Sequence, residues 1–264
     1  MDARVPDPGR AVTRQRRRME RVLAELPPGA WASPSRCEGW SVRDVVAHLV
    51  TVNQFWESSV RAGREGTPSR VLASFDPAAH PDLLVASLGA LDAGEVLERF
   101  VASNDGFLGV VADLTGDGWS LVAESPAGHV GMDCVVDHAL WDAWVHERDI
   151  VLPLRLPQEI EADEAGAALR YVAAIGPALR AGSPGAPVGT LAVVATEPDM
   201  RFTVEVGNCV VVREGCPPGV GVPCLRGDAV DLVDALSLRT PLPADAPDEW
   251  SELLQGLVDA FAKG

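Results

Sequence analysis

Three residues of this chain have the types and spacing of a facial metal-ligand set: His48 in SVRDVVAHLV, and Asp142 with His146 in DHALWDAWVHERD. On a helix, Asp-x-x-x-His puts both side chains on one face, about 6 Å apart along the axis. A third ligand from a distant segment then completes three protein donors and leaves a coordination position open for chemistry. Two neutral imidazoles and a carboxylate suit Zn²⁺, and also Fe²⁺, Mn²⁺ or Ni²⁺, so ligand type alone does not select the metal; zinc is the expectation. A plainer reading competes with this one. D-x-x-x-H recurs by chance, each histidine can be an ordinary cap or hydrogen-bonding group, and Asp142 can be a surface carboxylate.

The neighbouring residues are weighed the same way. His138, one turn before Asp142, could supplement a ligand, but with Asp137 it reads as a supporting or solvated group. Glu147, Arg148 and Asp149 read as a charged helix end. His80 and His129 lie in turn-rich segments without an identifiable partner. Asp44, near His48, is better explained as the third residue of a capped helix than as a catalytic base. Trp40 and Trp141 are expected in or near the core, where large aromatics could also shape a pocket. No G-x-S-x-G, P-loop or G-x-G-x-x-G following a strand offers a different chemistry.

The elements that position these residues follow from periodicity. The chain has 264 residues, 47% hydrophobic and 23% charged, enough for one large domain or two ordinary ones with a sizeable core. The formal charge of −16 repels phosphate backbones and anionic membrane surfaces, so neither nucleic acid nor membrane is an expected partner. The one basic cluster, RQRRR at 14–18, reads as a solvated helix start. No signal-peptide pattern and no membrane-length apolar run is present, so a cytoplasmic protein is expected. Five cysteines without a C-x-x-C pair read as reduced and structural.

Apolar spacing predicts a helix over 12–26, ended by Pro27-Pro28-Gly29, and a second from Ser41 to about 62, with Ser41 and Asp44 as a capping-box-like start. Two further helical runs cover 82–91 and 94–114, the second being the preferred third helix; GDGW and SPAGHVG interrupt at 116–131 before a fourth whose apolar stripe runs from Val135 to Ile150. Four amphipathic helices predict a bundle. After a helical run through ADEAGAALRYVAAIGPALR, the segment AGSPGAP reads as a linker. GTLAVVAT, RFTVEV and NCVVVRE then read as hairpin-joined strands, with GDAVDLVDAL and DEWSELLQGLVDAF as closing helices. The fold class is therefore α+β: a helical bundle over 1–180 and a small α+β domain over 188–264.

SRCEGWSVRDVVAHL resembles the N-terminal motif of the mycothiol-dependent maleylpyruvate isomerase family, within the DinB-like metal-binding four-helix bundles. WDAWVHERD occupies the position of that family's usual Glu-x-x-x-His, with Asp142 in place of Glu. The resemblance implies a metal held by His48, Asp142 and His146. The C-terminal part resembles the sterol-carrier-protein-like domain of many members, on LRGDAVDLVDALSLR. Members tend to have Gly-Arg where this chain has Leu238-Arg239, which implies that Arg239 approaches the site and holds an anionic substrate. Aspartate is one methylene shorter than glutamate, so the metal must sit nearer the fourth helix or the carboxylate must bind differently, and the missing glycine must alter how the arginine approaches.

The implied activity is that of a divalent-metal-dependent thiol enzyme using mycothiol, an isomerase or an S-transferase, in which a low-molecular-weight thiol enters the open position as metal thiolate and attacks an electrophilic small molecule. Two alternatives stay open: a thiol-independent metal-dependent lyase, cyclase or hydrolase, and a noncatalytic metal- or ligand-binding module.

Overall fold

The second bundle helix starts where side chains can satisfy its free amides. In the computed structural model, which describes residues 8–77, 79–180, 188–215, 221–248, 251, 253 and 256–258, α1 spans Pro8–Ala24 and α2 spans Val42–Arg64. Ser41 accepts from the Asp44 amide while the Asp44 carboxylate accepts from the Ser41 amide, the reciprocal capping expected from the sequence. Both runs read as possible third helices are helical: α3 is His80–Ser87 and α4 is Ala93–Ala112, the latter started by an Asp92/Glu95 capping box. The fourth bundle helix, α5, is Met132–Val151. No helix is long and apolar enough to cross a membrane among the described residues.

Helices α1, α2, α4 and α5 close into a four-helix ring, each packing on two of the others, and α3 lies against α2. Val45, Val46 and Leu49 of α2, Phe100 of α4, Met19 and Leu23 of α1, and Ala143 and Ile150 of α5 share its core. A buried Phe or Leu contributes about 1.5–3 kcal/mol, so these apolar stripes are what favours closing the ring. The segment read as an interruption contains an antiparallel hairpin, β1 (Val122–Ser125) and β2 (Gly128–Gly131), too short and too mixed in polarity to show as alternation. It lies close to α2, where a Cβ on Gly63 would come 2.5 Å from the Val122 carbonyl oxygen.

The basic cluster differs from the solvated helix start expected of it. Gln15 and Arg16 are fully buried and Arg18 is nearly so, because α1 turns them toward α5. Arg16 donates to Gln15 Oε1, Asn53 Oδ1 and the Ala139 carbonyl, and Arg18 pairs with Glu147. A run of like charges was therefore partly interior, with its partners on distant segments.

The chain divides into two compact units, Met1–Glu159 and Ile160–Gly264. This differs from the expected 180/188 boundary, because α6 (Ala162–Arg180) packs its apolar face on the second unit's own elements. The expected linker at 181–187 lies outside the described residues. In the second unit β3 (Gly189–Thr196), β4 (Met200–Val206) and β5 (Val210–Glu214) form the antiparallel series expected, and β6 (Cys224–Asp228) adds a parallel strand beside β3, giving the order β5-β4-β3-β6. The sequence reading gives no strand here and begins the closing helix at Gly227, two residues inside β6. Asp228 instead ends β6 and caps α7 (Ala229–Leu236) by accepting from the Val230 and Asp231 amides. The second closing helix, in DEWSELLQGLVDAF, falls partly outside the described residues. The fold is thus a helical bundle followed by a small α+β domain.

Candidate metal centre

Helices α2 and α5 pack against each other, which brings His48 across to the face carrying Asp142 and His146. Asp142 Oδ1 lies 3.9 Å from His48 Nε2 and 3.6 Å from His146 Nε2, and the histidine rings are 4.9 Å apart at their centroids. One ligand atom from each of the three lies within 4.8 Å of the others. Metal–ligand bonds of 2.0–2.2 Å give tetrahedral ligand–ligand edges of about 3.4 Å, so small side-chain adjustments would close this triangle on a cation. The shorter aspartate reaches both imidazoles.

A second observation supports the fit. Asp142 Oδ2 is buried and has no hydrogen-bond partner among the described residues. Leaving a buried acceptor unmet costs about 1–3 kcal/mol, and more when it is charged; a cation at the triad would offset that cost. The side chains of His48, Asp142 and His146 nevertheless remain 13%, 17% and 11% exposed, so the group is not sealed from solvent.

The electrostatics favour positive charge here. Burial raises the Asp142 carboxyl, but His146 and His48 outweigh it and hold the group well below the usual carboxylate range. Burial lowers His146, yet Cys37, Asp142 and Asp149 outweigh that and push it up to about 10. The anionic surroundings that retain a proton on His146 would also retain a cation. His138 takes the opposite course: burial lowers it to about 4 against the pull of Asp142, so it is a neutral imidazole near pH 7. Its ring packs against Trp56 and Trp141 at 4.6 and 5.3 Å, and it belongs to neither group of residues able to share an ion.

Behind His146 the structure departs from the charged helix end expected at 147–149. Glu147 and Asp149 are 1% and 0% exposed. Asp149 Oδ2 lies 3.0 Å from His146 Nδ1 and accepts the Cys37 thiol at 3.2 Å, while Cys37 Sγ is 3.6 Å from the same ring nitrogen. Cys37 was read as structural and Asp149 as a surface charge. The His-x-x-Asp spacing, one turn on a helix, was the available signal for Asp149; nothing in the sequence placed Cys37 there.

Trp40 forms a wall at His48, ring centroids 5.2 Å apart, with its indole N–H donating to Asp82. Trp141 is nearly buried. The two histidines without identified partners have local roles: His80 Nδ1 accepts from the Asp76 amide, and His129 Nε2 meets the Ser69 carbonyl oxygen.

Arg239 lies in the second unit, directly after α7. Leu238 takes φ 61°, the Leu238 amide donates to the Ala235 carbonyl, and the Arg239 amide donates to the Asp234 carbonyl. This is a Schellman ending with leucine in the left-handed position that glycine usually fills. The backbone thus makes at Leu238 the turn that a Gly-Arg pair would make. The Arg239 Nη1 group donates to the Ser237 carbonyl.

Residues 12–151 match the family described as Mycothiol maleylpyruvate isomerase N-terminal domain. Among solved structures, the crystal structure of the mycothiol-dependent maleylpyruvate isomerase is similar at a TM-score of 0.63 and 17% identity, covering 89% of this chain and 90% of that one. A point mutant of the mycothiol-dependent maleylpyruvate isomerase gives 0.62 and 15%, with the same coverage. At these identities the likeness is one of fold. No curated protein sequence matches the chain.

Proposed function

The chain belongs to the mycothiol maleylpyruvate isomerase N-terminal domain family, and on that premise we propose a divalent-metal-dependent enzyme that uses a low-molecular-weight thiol, mycothiol, against an electrophilic small molecule. The observation that carries this reading is the approach of His48 and His146 to Oδ1 of Asp142, whose other carboxylate oxygen is buried and has no hydrogen-bond donor among the described residues. His48 and His146 offer Nε2 lone pairs and Asp142 offers a negative charge, a donor set suited to zinc. A cation bound there supplies the positive charge that lowers the pKa of an incoming thiol.

The remaining chemistry belongs to the thiol and its substrate. For a cis-enedioate, sulfur bonds to one alkene carbon as the π pair moves toward the conjugated carbonyl. The former double bond rotates, and expulsion of the thiolate restores it in the trans form with the thiol regenerated. For an alkyl electrophile the leaving group departs as the C–S bond forms, and the adduct is the product. Trp40 against His48 narrows the approach to the ligands. Arg239 is proposed to bind a substrate carboxylate through its two-pronged guanidinium.

The test is turnover of a cis-enedioate by metal-loaded protein with and without mycothiol. Isomerisation that requires the thiol and disappears in His48→Ala supports the proposal. Equal turnover in thiol-free protein would replace it with the thiol-independent metal enzyme.

A further inference from the structure

We propose that Asp149, anchored by Cys37, is a positioning residue that holds the proton on Nδ1 of His146 and so turns Nε2 toward His48 and Asp142; this rests on the metal-centre reading above. A histidine can present only one nitrogen to a given site, and which one is set by the hydrogen bond the other makes. Here the two nitrogens have separate neighbours. Nε2 faces Asp142 Oδ1 at 3.6 Å, while Nδ1 faces Asp149 Oδ2 at 3.0 Å. A fully buried carboxylate at hydrogen-bond distance from Nδ1 selects the proton-bearing form of that nitrogen.

Asp149 is itself fixed from a second direction. The Arg36 amide donates to the Asp149 carbonyl at 3.0 Å, the Arg36 Nε lies 3.6 Å from Oδ1, and the Cys37 thiol donates to Oδ2. Residues 36 and 37 belong to the short segment that ends at Ser41, the cap of the helix bearing His48. Ser35 Oγ ties that segment together, donating to the Trp40 carbonyl and accepting from the Cys37 amide. Asp149 therefore links the ring of one ligand to the segment that sets the start of the other ligand's helix. Through this link the distance between two donors on different helices is set by hydrogen bonds as well as by packing.

Cys37, His146 and Asp149 also offer ligand atoms close enough to share an ion. The hydrogen-bond reading is preferred, because Oδ2 already accepts from the thiol, Nδ1 faces it, and the Arg36 guanidinium stands beside Oδ1. A second cation would have to displace two protons next to an existing positive charge.

The test uses the full chain with Asp149→Ala, Asp149→Asn and Cys37→Ser, beside His48→Ala as a ligand control. Long-range ¹H–¹⁵N spectra of the histidine rings report which nitrogen of His146 carries its proton. Competition with a chromophoric chelator reports Zn²⁺ affinity, and the Co²⁺ ligand-field bands report donor geometry. The proposal expects a slowly exchanging Nδ1 proton in the wild type that Asp149→Ala loses. It expects Zn²⁺ affinity to fall about 10–100-fold in Asp149→Ala, with altered Co²⁺ bands. Asp149→Asn, which keeps an acceptor without the charge, should fall between, and Cys37→Ser, which keeps a donor, should stay near wild type. A wild-type proton on Nε2 alone would overturn the proposal even if no variant folded. So would unchanged affinity and Co²⁺ bands in a folded Asp149→Ala, or a second Zn²⁺ per chain that Cys37→Ser weakens. If the wild type binds no Zn²⁺, the metal-centre reading fails, and the ring spectra alone still decide the position of the proton.

Discussion

Arg18 and Glu147 meet at two points, Nε on Oε1 and Nη2 on Oε2, both at 2.8 Å, with side chains only 5% and 1% exposed. The pair joins α1 to α5 at the residue following His146, and Gln15 adds a third donor to Oε2 at 3.1 Å. Breaking a buried ion pair by removing one partner costs about 3–5 kcal/mol. Glu147→Ala should therefore lower unfolding free energy by that amount in a urea titration, while the combined change Arg18→Met with Glu147→Leu should recover much of the loss. A single-variant loss under about 1 kcal/mol, the range of exposed pairs, would contradict the buried pairing.

Glu124 performs a similar task for a loop. Its carboxylate is nearly buried and accepts from Ser69 Oγ and from the Val71 and Leu72 amides at 2.7–2.8 Å. Three donors converge on one side chain of β1, so the turn at 71–74 is held to the hairpin. Glu124→Ala should cost about 2–3 kcal/mol, since two backbone donors lose a charged acceptor. Hydrogen exchange at the Val71 and Leu72 amides should accelerate in the variant, and unchanged protection there would count against the clamp.

Much of this architecture was legible because it is local. Ser41 and Asp44 announced the start of α2, and the Val/Thr-rich runs announced β3, β4 and β5, since capping and alternation are written within a few residues. His48, Asp142 and His146 could be singled out by type and spacing, and their convergence follows from packing α2 on α5. What escaped depends on partners far away in the chain. Arg16 and Arg18 look solvated until Asn53, Ala139 and Glu147 arrive beside them. Asp149 looks like a terminal charge until Cys37 and Arg36 enclose it. The parallel strand β6 shows no hairpin signal because its neighbour, β3, is not adjacent in sequence.

Leu238 stores a cost that glycine would remove. A non-glycine residue in the left-handed region costs about 1–2 kcal/mol, against about 0.5–1 kcal/mol of added backbone entropy for glycine. With φ at 61° and the residue 41% exposed, Leu238→Gly should raise stability by about 0.5–1 kcal/mol and leave the Schellman hydrogen bonds in place. A thermal melt of the two proteins checks this, and a clear decrease would mean that the leucine side chain contributes more than its backbone costs.

A substitution at Arg239 would test substrate binding apart from metal binding. If its guanidinium holds a substrate carboxylate, Arg239→Ala should raise KM for an anionic electrophile while metal content stays at the wild-type level. Losing a charge-assisted hydrogen bond corresponds to about 1.5–3 kcal/mol, or roughly 10- to 150-fold in kcat/KM. Unchanged kinetics with a carboxylate-bearing substrate would remove Arg239 from the account.

The most direct test of the metal centre is the metal content of purified wild type beside His48→Ala and Asp142→Ala, followed by titration of the Co²⁺-substituted wild type with mycothiol. One ion per chain in the wild type, lost in both variants, with a sulfur-to-metal charge-transfer band growing on titration, is the predicted result. A folded wild type that takes up no ion, or an ion retained in both variants, would contradict the assignment of His48, Asp142 and His146.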